Sequence, residues 1–372
     1  MPSMHRAGRR PGLPCLPFLL VVVIVAAVAC GGGQGLPGKT PDEKAIAAAE
    51  LGINGADENI PVLLHAVETE PELVQTSAIV ALGRIGTPAA VEALGKLSNH
   101  EARRIRLAVA QALQDVLPEA YPEAAKVLVE MGKHCLPRGP GKDPDREIRR
   151  AVVTSLAVVQ QPIGLDYLLD RLRNDYDENV RNTAVKTLGR LKDPRAVDVL
   201  IDVFHTDNTH NQAWAIESLG EIGDPRAIPT VKEALDIDVT YDAIVRGKAA
   251  WALMQLAGKD AIPVLEEALA KEPDDMAAVR MAHALAKLGV KEAIPVLEDR
   301  LLHAEREFAR AEAARALKEV GRKESFAVVD RAFREDRSGL VKKEAGQAAL
   351  ALIRKYHLEP GKQEAGSGEE SR

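Results

Sequence analysis

The chain has 372 residues, 46% hydrophobic and 28% charged, which is ample for a folded body, yet only 3% of it is aromatic. So few rings argue against a thick globular core and suit thin helical layers packed through Ala, Leu and Val. The formal charge is -6, and residues 1–29 hold three Arg and no acids, so the rest is more acidic still. That argues against sequence-independent binding to nucleic acid, where clustered Lys and Arg must replace phosphate counterions, and leaves room only for a local basic patch.

Arg6, Arg9 and Arg10 precede an apolar run from Phe18 to Ala29, about the length of a signal-peptide h-region and too short to cross a bilayer comfortably. The run ends in "VAAVAC" followed by "GGG". Ala27-Val28-Ala29-Cys30 resembles the lipobox of bacterial lipoproteins, with Ala where Leu is commoner at the first position. The resemblance implies cleavage before Cys30, diacylation of its thiol and acylation of the new amine. An ordinary cleaved secretory signal and a retained anchor are the alternatives. Two or three acyl chains would hold the protein on a membrane with no spanning helix. By the same resemblance, Gly31 favours the outer membrane of a Gram-negative cell, on its periplasmic or surface side.

Residues 30–42 read as a flexible tether, rich in Gly and Pro. Within it, Gly33 to Thr40 matches the G-x-x-x-x-G-K-[ST] phosphate loop letter for letter. That loop works only when a strand delivers it to a helix N-terminus, and no βαβ pattern surrounds it, so no nucleotide is expected.

From about residue 43 to 356 the chain is periodic. Aligned on the Ala of "DPRA", registers fall at Asn59, Ala90, Ala124, Gly164, Ala196, Ala227, Ala261, Ala293 and Ser325. Each unit reads as two helices. Asp193 is a ready N-cap with Pro194 at N1, and Ala196, Val197, Leu200, Val203 and Phe204 form the stripe of a first helix, A. Val180, Ala184, Val185, Leu188 and Leu191 form the stripe of a second helix, B. In the next unit "LGEIGDP" places Gly223 where a left-handed C′ residue stops helix B. The recurring Asp-Pro-Arg-Ala is thus a joint that stops one helix and starts the next, with no chemistry required.

"ENVRNTAVKTLGRLKDPRAVDVLIDVF" resembles a HEAT repeat of the kind found in phycobilisome lyases, and "AWAIESLGEIGDPRAIPTV" repeats part of it. The resemblance covers about residues 43–356 and implies an all-α solenoid of about nine helical hairpins. The unit between Ala124 and Gly164 departs from it through a Pro/Gly-rich insertion at 133–145.

Helix B separates structural from functional columns. Taking the repeat Leu (Leu82, Leu113, Leu156, Leu188, Leu219, Leu253, Leu285, Leu317) as facing the core, Arg106, Arg149, Arg181, Arg246 and Arg310 lie seven residues earlier, about 20° round the helix. They read as a ladder pairing with turn carboxylates or carbonyls between repeats, with an anion track as the alternative. Positions two, five and nine before the Leu point outward. There Glu217, Trp251, His283 and Arg315, then Trp214, Lys248, Arg280 and Glu312, then His210 and Phe308 would pave the concave groove. Aromatic and Arg side chains are frequent binding hot spots. The competing reading is that these side chains pack against neighbouring repeats or are merely solvated.

Enzyme signatures are sparse. His100-Glu101 resembles one His-Glu pair of deoxyhypusine hydroxylase, a HEAT-repeat di-iron enzyme, but that site needs several pairs and this chain has one. Bilin-lyase activity follows from the repeat resemblance, yet a lipoprotein signal would send the chain away from cytoplasmic phycobiliproteins. H-E-x-x-H, paired Cys ligands and G-x-S-x-G are absent. Cys15 leaves with the signal, and Cys135 reads as a lone loop thiol. Residues 357–372 read as a polar disordered tail. The expectation is a lipid-tethered, non-catalytic scaffold without cofactor or metal, binding a protein or peptide partner in the cell envelope. A small-ligand or metal enzyme on the same scaffold and a purely architectural envelope component are the rivals.

Overall fold

The computed structural model describes residues 35–135, 143, 145–240 and 242–358. The expected signal peptide, Cys30 and most of the tail lie outside the described residues, as do 136–142 and 144 of the insertion. Among the described residues the chain is helical with no strand, and the helices alternate A and B as the periodicity predicts. The A helices are α2 (Ile60–Thr69), α4 (Pro88–Leu97), α6 (Tyr121–His134), α8 (Leu165–Asn174), α10 (Val197–Thr206), α12 (Ile228–Leu235), α14 (Ile262–Lys271), α16 (Ile294–His303) and α18 (Ser325–Glu335). The B helices are α3 (Glu72–Ile85), α5 (Arg103–Ala112), α7 (Arg146–Val159), α9 (Glu178–Leu191), α11 (Thr209–Ile222), α13 (Ala243–Ala257), α15 (Asp275–Lys287), α17 (Glu307–Val320) and α19 (Gly339–Tyr356). An additional helix, α1 (Pro41–Asn54), precedes them.

The chain divides after Ala124 into two compact units. In the first, α1 packs on α3, and α3 on α5, with α2 and α4 against them. Helix α1 starts at Pro41, two residues inside the stretch assigned to the tether, because Thr40 and Glu43 form a capping box. Glu43 Oε2 accepts the N–H groups of Lys39 (2.7 Å) and Thr40 (3.3 Å). In the phosphate-loop look-alike, a carboxylate thus occupies backbone donors ahead of the helix.

In the second unit each B helix from α9 to α19 packs on its own A helix, and each from α7 to α17 packs on the next B helix. The repeat Leu residues from Leu156 to Leu317 are buried. B helices meet closely: a Cβ added to Gly220 would stand 2.7 Å from Ala252 Cα. The side chains between helices are therefore mostly Ala, Val and Leu, which explains why so few rings suffice.

The Asp-Pro-Arg-Ala joint is a 3-10 turn ahead of helix A rather than its first α-helical turn. Asp193 Oδ1 accepts the Arg195 N–H at 2.9 Å over Pro194–Ala196, and Asp224 Oδ1 accepts the Arg226 N–H at 2.9 Å over Pro225–Ala227. Tightening to 3-10 at a helix entrance is common where the cap holds the turn. Arg226 also donates to Pro194 O (2.8 Å), stapling one joint to the preceding one. Gly223 is left-handed, with φ 78°.

Candidate functional site

The Arg ladder follows one geometric rule. In four rungs the guanidinium forks onto a carboxylate 26 residues later, at the C-cap of the next A helix. Arg149 pairs with Asp175 (2.7 and 2.9 Å), Arg181 with Asp207 (2.9 and 2.9 Å), Arg246 with Glu272 (2.6 and 2.6 Å) and Arg310 with Asp336 (2.8 and 3.2 Å). Nη1 of the last three turns back to the carbonyl six residues earlier, at Asp175, Thr240 and Ala304. Arg106, in the first unit, makes the equivalent bonds to the carbonyls of His100 and Glu101, both 2.9 Å. Bidentate pairing of this kind joins the A-B turn of one repeat to that of the next. Asp207 illustrates the electrostatics: burial pushes its carboxyl up, but hydrogen bonds from Arg181, the Asn208 N–H and Asn211 outweigh that and hold it below the ordinary range.

The insertion unit adds to the ladder. Arg149 is fully buried and also bonds Asp143 (2.6 Å) and the Cys135 carbonyl (3.4 Å). Cys135 lies in the bend directly after α6, as a loop thiol, and is buried there. The helix α6 continues through His134 and carries the cysteine down to the Arg149 network. The His100-Glu101 pair sits in a turn where His100 Nδ1 accepts the Ala102 N–H at 3.0 Å. Among the described residues, no group of three or more His, Cys, Asp or Glu is placed to hold a metal ion.

The outward columns of α11, α13, α15 and α17 form a connected row. Trp214 is half-buried, with Lys186 Nζ and Lys248 Nζ 3.8 and 3.9 Å from its ring centroid, and its Nε1 donates to His210 Nε2 at 3.2 Å. Lys248 is ion-paired with Glu217. Trp251, also half-buried, lies 5.9 Å from the His283 ring and under Lys287. Both tryptophans lie on outward columns, and cations and a histidine from neighbouring helices cover part of each ring. Phe308 remains exposed at 63%. Arg315 bridges Glu312 (3.1 Å) and Glu344 (3.2 Å). Burial holds His283 below its usual range despite the pull of Glu319.

Six of the ten outward residues, Glu217, Lys248, Trp251, Arg280, His283 and Glu312, line one cleft of about 240 Å³ together with Gly247. His210, Trp214, Phe308 and Arg315 lie outside that lining. Lys287 and Glu319, linked at 3.1 Å, join this face from the C-terminal side of the repeat Leu, outside the three columns that precede it. Two residues beyond it the angle is about 200°, equally far from the core. That column also holds Glu221, whose carboxyl is pushed up by burial and by Glu217.

A family model described as HEAT repeats matches residues 34–114, 60–135, 141–211, 207–282 and 269–350. The chain belongs to the HEAT-repeat family. This HEAT-repeat chain is similar in fold to a solved Kap95:Nup1 complex, at 12% identity and TM-score 0.52, covering 90% of this chain and 57% of that one. It is also similar to phycocyanin lyase in the complex of CpcE and CpcF from Nostoc sp. PCC7120, at 18% identity and TM-score 0.35, covering 77% and 100%. Human deoxyhypusine hydroxylase in complex with glycerol matches at 17% identity and TM-score 0.32, covering 80% and 97%. No curated protein matches the HEAT-repeat sequence.

Proposed function

We propose that this HEAT-repeat chain is a non-catalytic scaffold, anchored by lipid on Cys30 at a bacterial cell envelope, that docks a protein or peptide partner on the B-helix face from α11 to α17. The observation that supports docking is the row of rings and cations on that face: Trp214 between Lys186 and Lys248, Trp251 against His283, and Phe308 exposed. Half-buried rings held by neighbours offer apolar area at little further cost in conformational entropy, and such aromatic anchors dominate many interfaces. The anchor rests on the lipobox resemblance at Ala27 to Cys30, and the outer-membrane assignment on Gly31.

Two experiments test the two halves separately. Crosslinking in native membranes followed by mass spectrometry identifies the partner, and Trp251→Ala with Phe308→Ala should abolish its capture. Unchanged capture would remove this face from docking. Palmitate labelling should disappear in Cys30→Ala, and equal labelling would defeat the anchor.

A further inference from the structure

One cation of the cleft on the B-helix face lacks an ion-pair partner among the described residues. Lys248 is paired with Glu217, and Glu312 with Arg315. Among the described residues Arg280 has no carboxylate within ion-pair distance, and its Nη1 is shielded from solvent without an acceptor. A buried donor left without an acceptor is costly, more so when charged. His283 Nε2 is likewise buried without a hydrogen bond, with Glu319 Oε2 3.5 Å away.

Arg280 is also seated by design of the neighbouring helix. A Cβ on Gly247 would stand 2.8 Å from Arg280 Cδ and 3.4 Å from Nη1. Gly247 lies inside the 15-residue helix α13, where glycine is less favourable than alanine. That gap lets the guanidinium lie along α13 beside Trp251 and Lys248.

We propose that this cleft binds a single carboxylate, received by the Arg280 guanidinium, with the Trp251 ring against the stem that carries it. An Arg fork matches a planar carboxylate. Glu217 and Glu312 in the same lining oppose a second negative charge, so a phosphate dianion fits poorly. A peptide Asp, Glu or C-terminus and a free small carboxylic acid share this chemistry. Only the assignment to a peptide rests on the docking reading above.

The test is calorimetric titration of the full chain with four probes: an N-acetylated hexapeptide amide containing one glutamate, its glutamine counterpart, N-acetylglutamate α-amide, which carries a single carboxylate, and inorganic phosphate. The glutamate peptide should bind at least about tenfold more tightly than its glutamine counterpart and than phosphate, as a charge-assisted pair implies. Arg280→Gln should weaken it by about tenfold or more, and Gly247→Val, which fills the seat while retaining Arg280, should do the same. Thermal melts check that both variants fold; if Arg280→Gln does not, Arg280→Lys, which retains charge and loses the fork, should still weaken binding. Binding of N-acetylglutamate α-amide alone, dependent on Arg280, supports the site and removes its assignment to a peptide. Binding of both peptides alike, indifferent to Arg280, leaves docking standing and overturns the carboxylate site, as does a preference for phosphate or no binding by any probe.

Discussion

At the scale of single residues, the ladder shows how one side chain can serve two turns. Arg246 and Glu272 are almost wholly buried, with 4% and 1% of their side chains exposed, and share two bonds of 2.6 Å. Removing one partner leaves the other charged and desolvated, at a cost of about 3–5 kcal/mol. Arg246→Ala should therefore lower the unfolding free energy by that amount in urea titrations. Arg246→Lys should recover only part, since an ammonium cannot reproduce the fork and the bond to Thr240 O together. A loss below about 1 kcal/mol would mean that the rung is energetically idle. The Arg column was legible from its seven-residue offset; its partners were not, because a spacing of 26 crosses an entire hairpin.

At the scale of helices, close approach of backbones sets the seam. Gly220 in α11 faces Ala252 in α13, with 2.7 Å between a hypothetical Cβ and Ala252 Cα. Gly220→Ala gains about 1 kcal/mol in helix propensity. It must also push α13 away, and overpacking of this kind costs about 1–3 kcal/mol. The melting temperature should fall; a rise would show that α13 yields without loss. Gly223 and Lys192 occupy the same position in successive units, and both are left-handed, at φ 78° and 53°. The joint therefore imposes its conformation on lysine as well as on glycine.

At the scale of the molecule, packing runs from neighbour to neighbour, and the chain divides into two compact units after Ala124. Stacked repeats of this type unfold as coupled local segments rather than as one body. Both tryptophans, Trp214 and Trp251, lie in the second unit, whereas far-UV circular dichroism reports helices of both. Urea unfolding followed by tryptophan fluorescence and by circular dichroism should give different midpoints. Coincident curves would show that the two units unfold cooperatively.

The sequence by itself determined the helical hairpins, their number and their joints. Those depend on short-range period and capping, which are written in residues a few positions apart. It also indicated which B-helix columns face away from the core, because helical geometry converts spacing into direction. Only the tertiary structure decided that Lys186 and Lys248 cover Trp214, that Cys135 is buried beside Arg149, and that Arg280 lies across Gly247 without an ion-pair partner among the described residues. Each of these joins residues on different helices, and their meeting depends on how far each helix is rotated and shifted against the next.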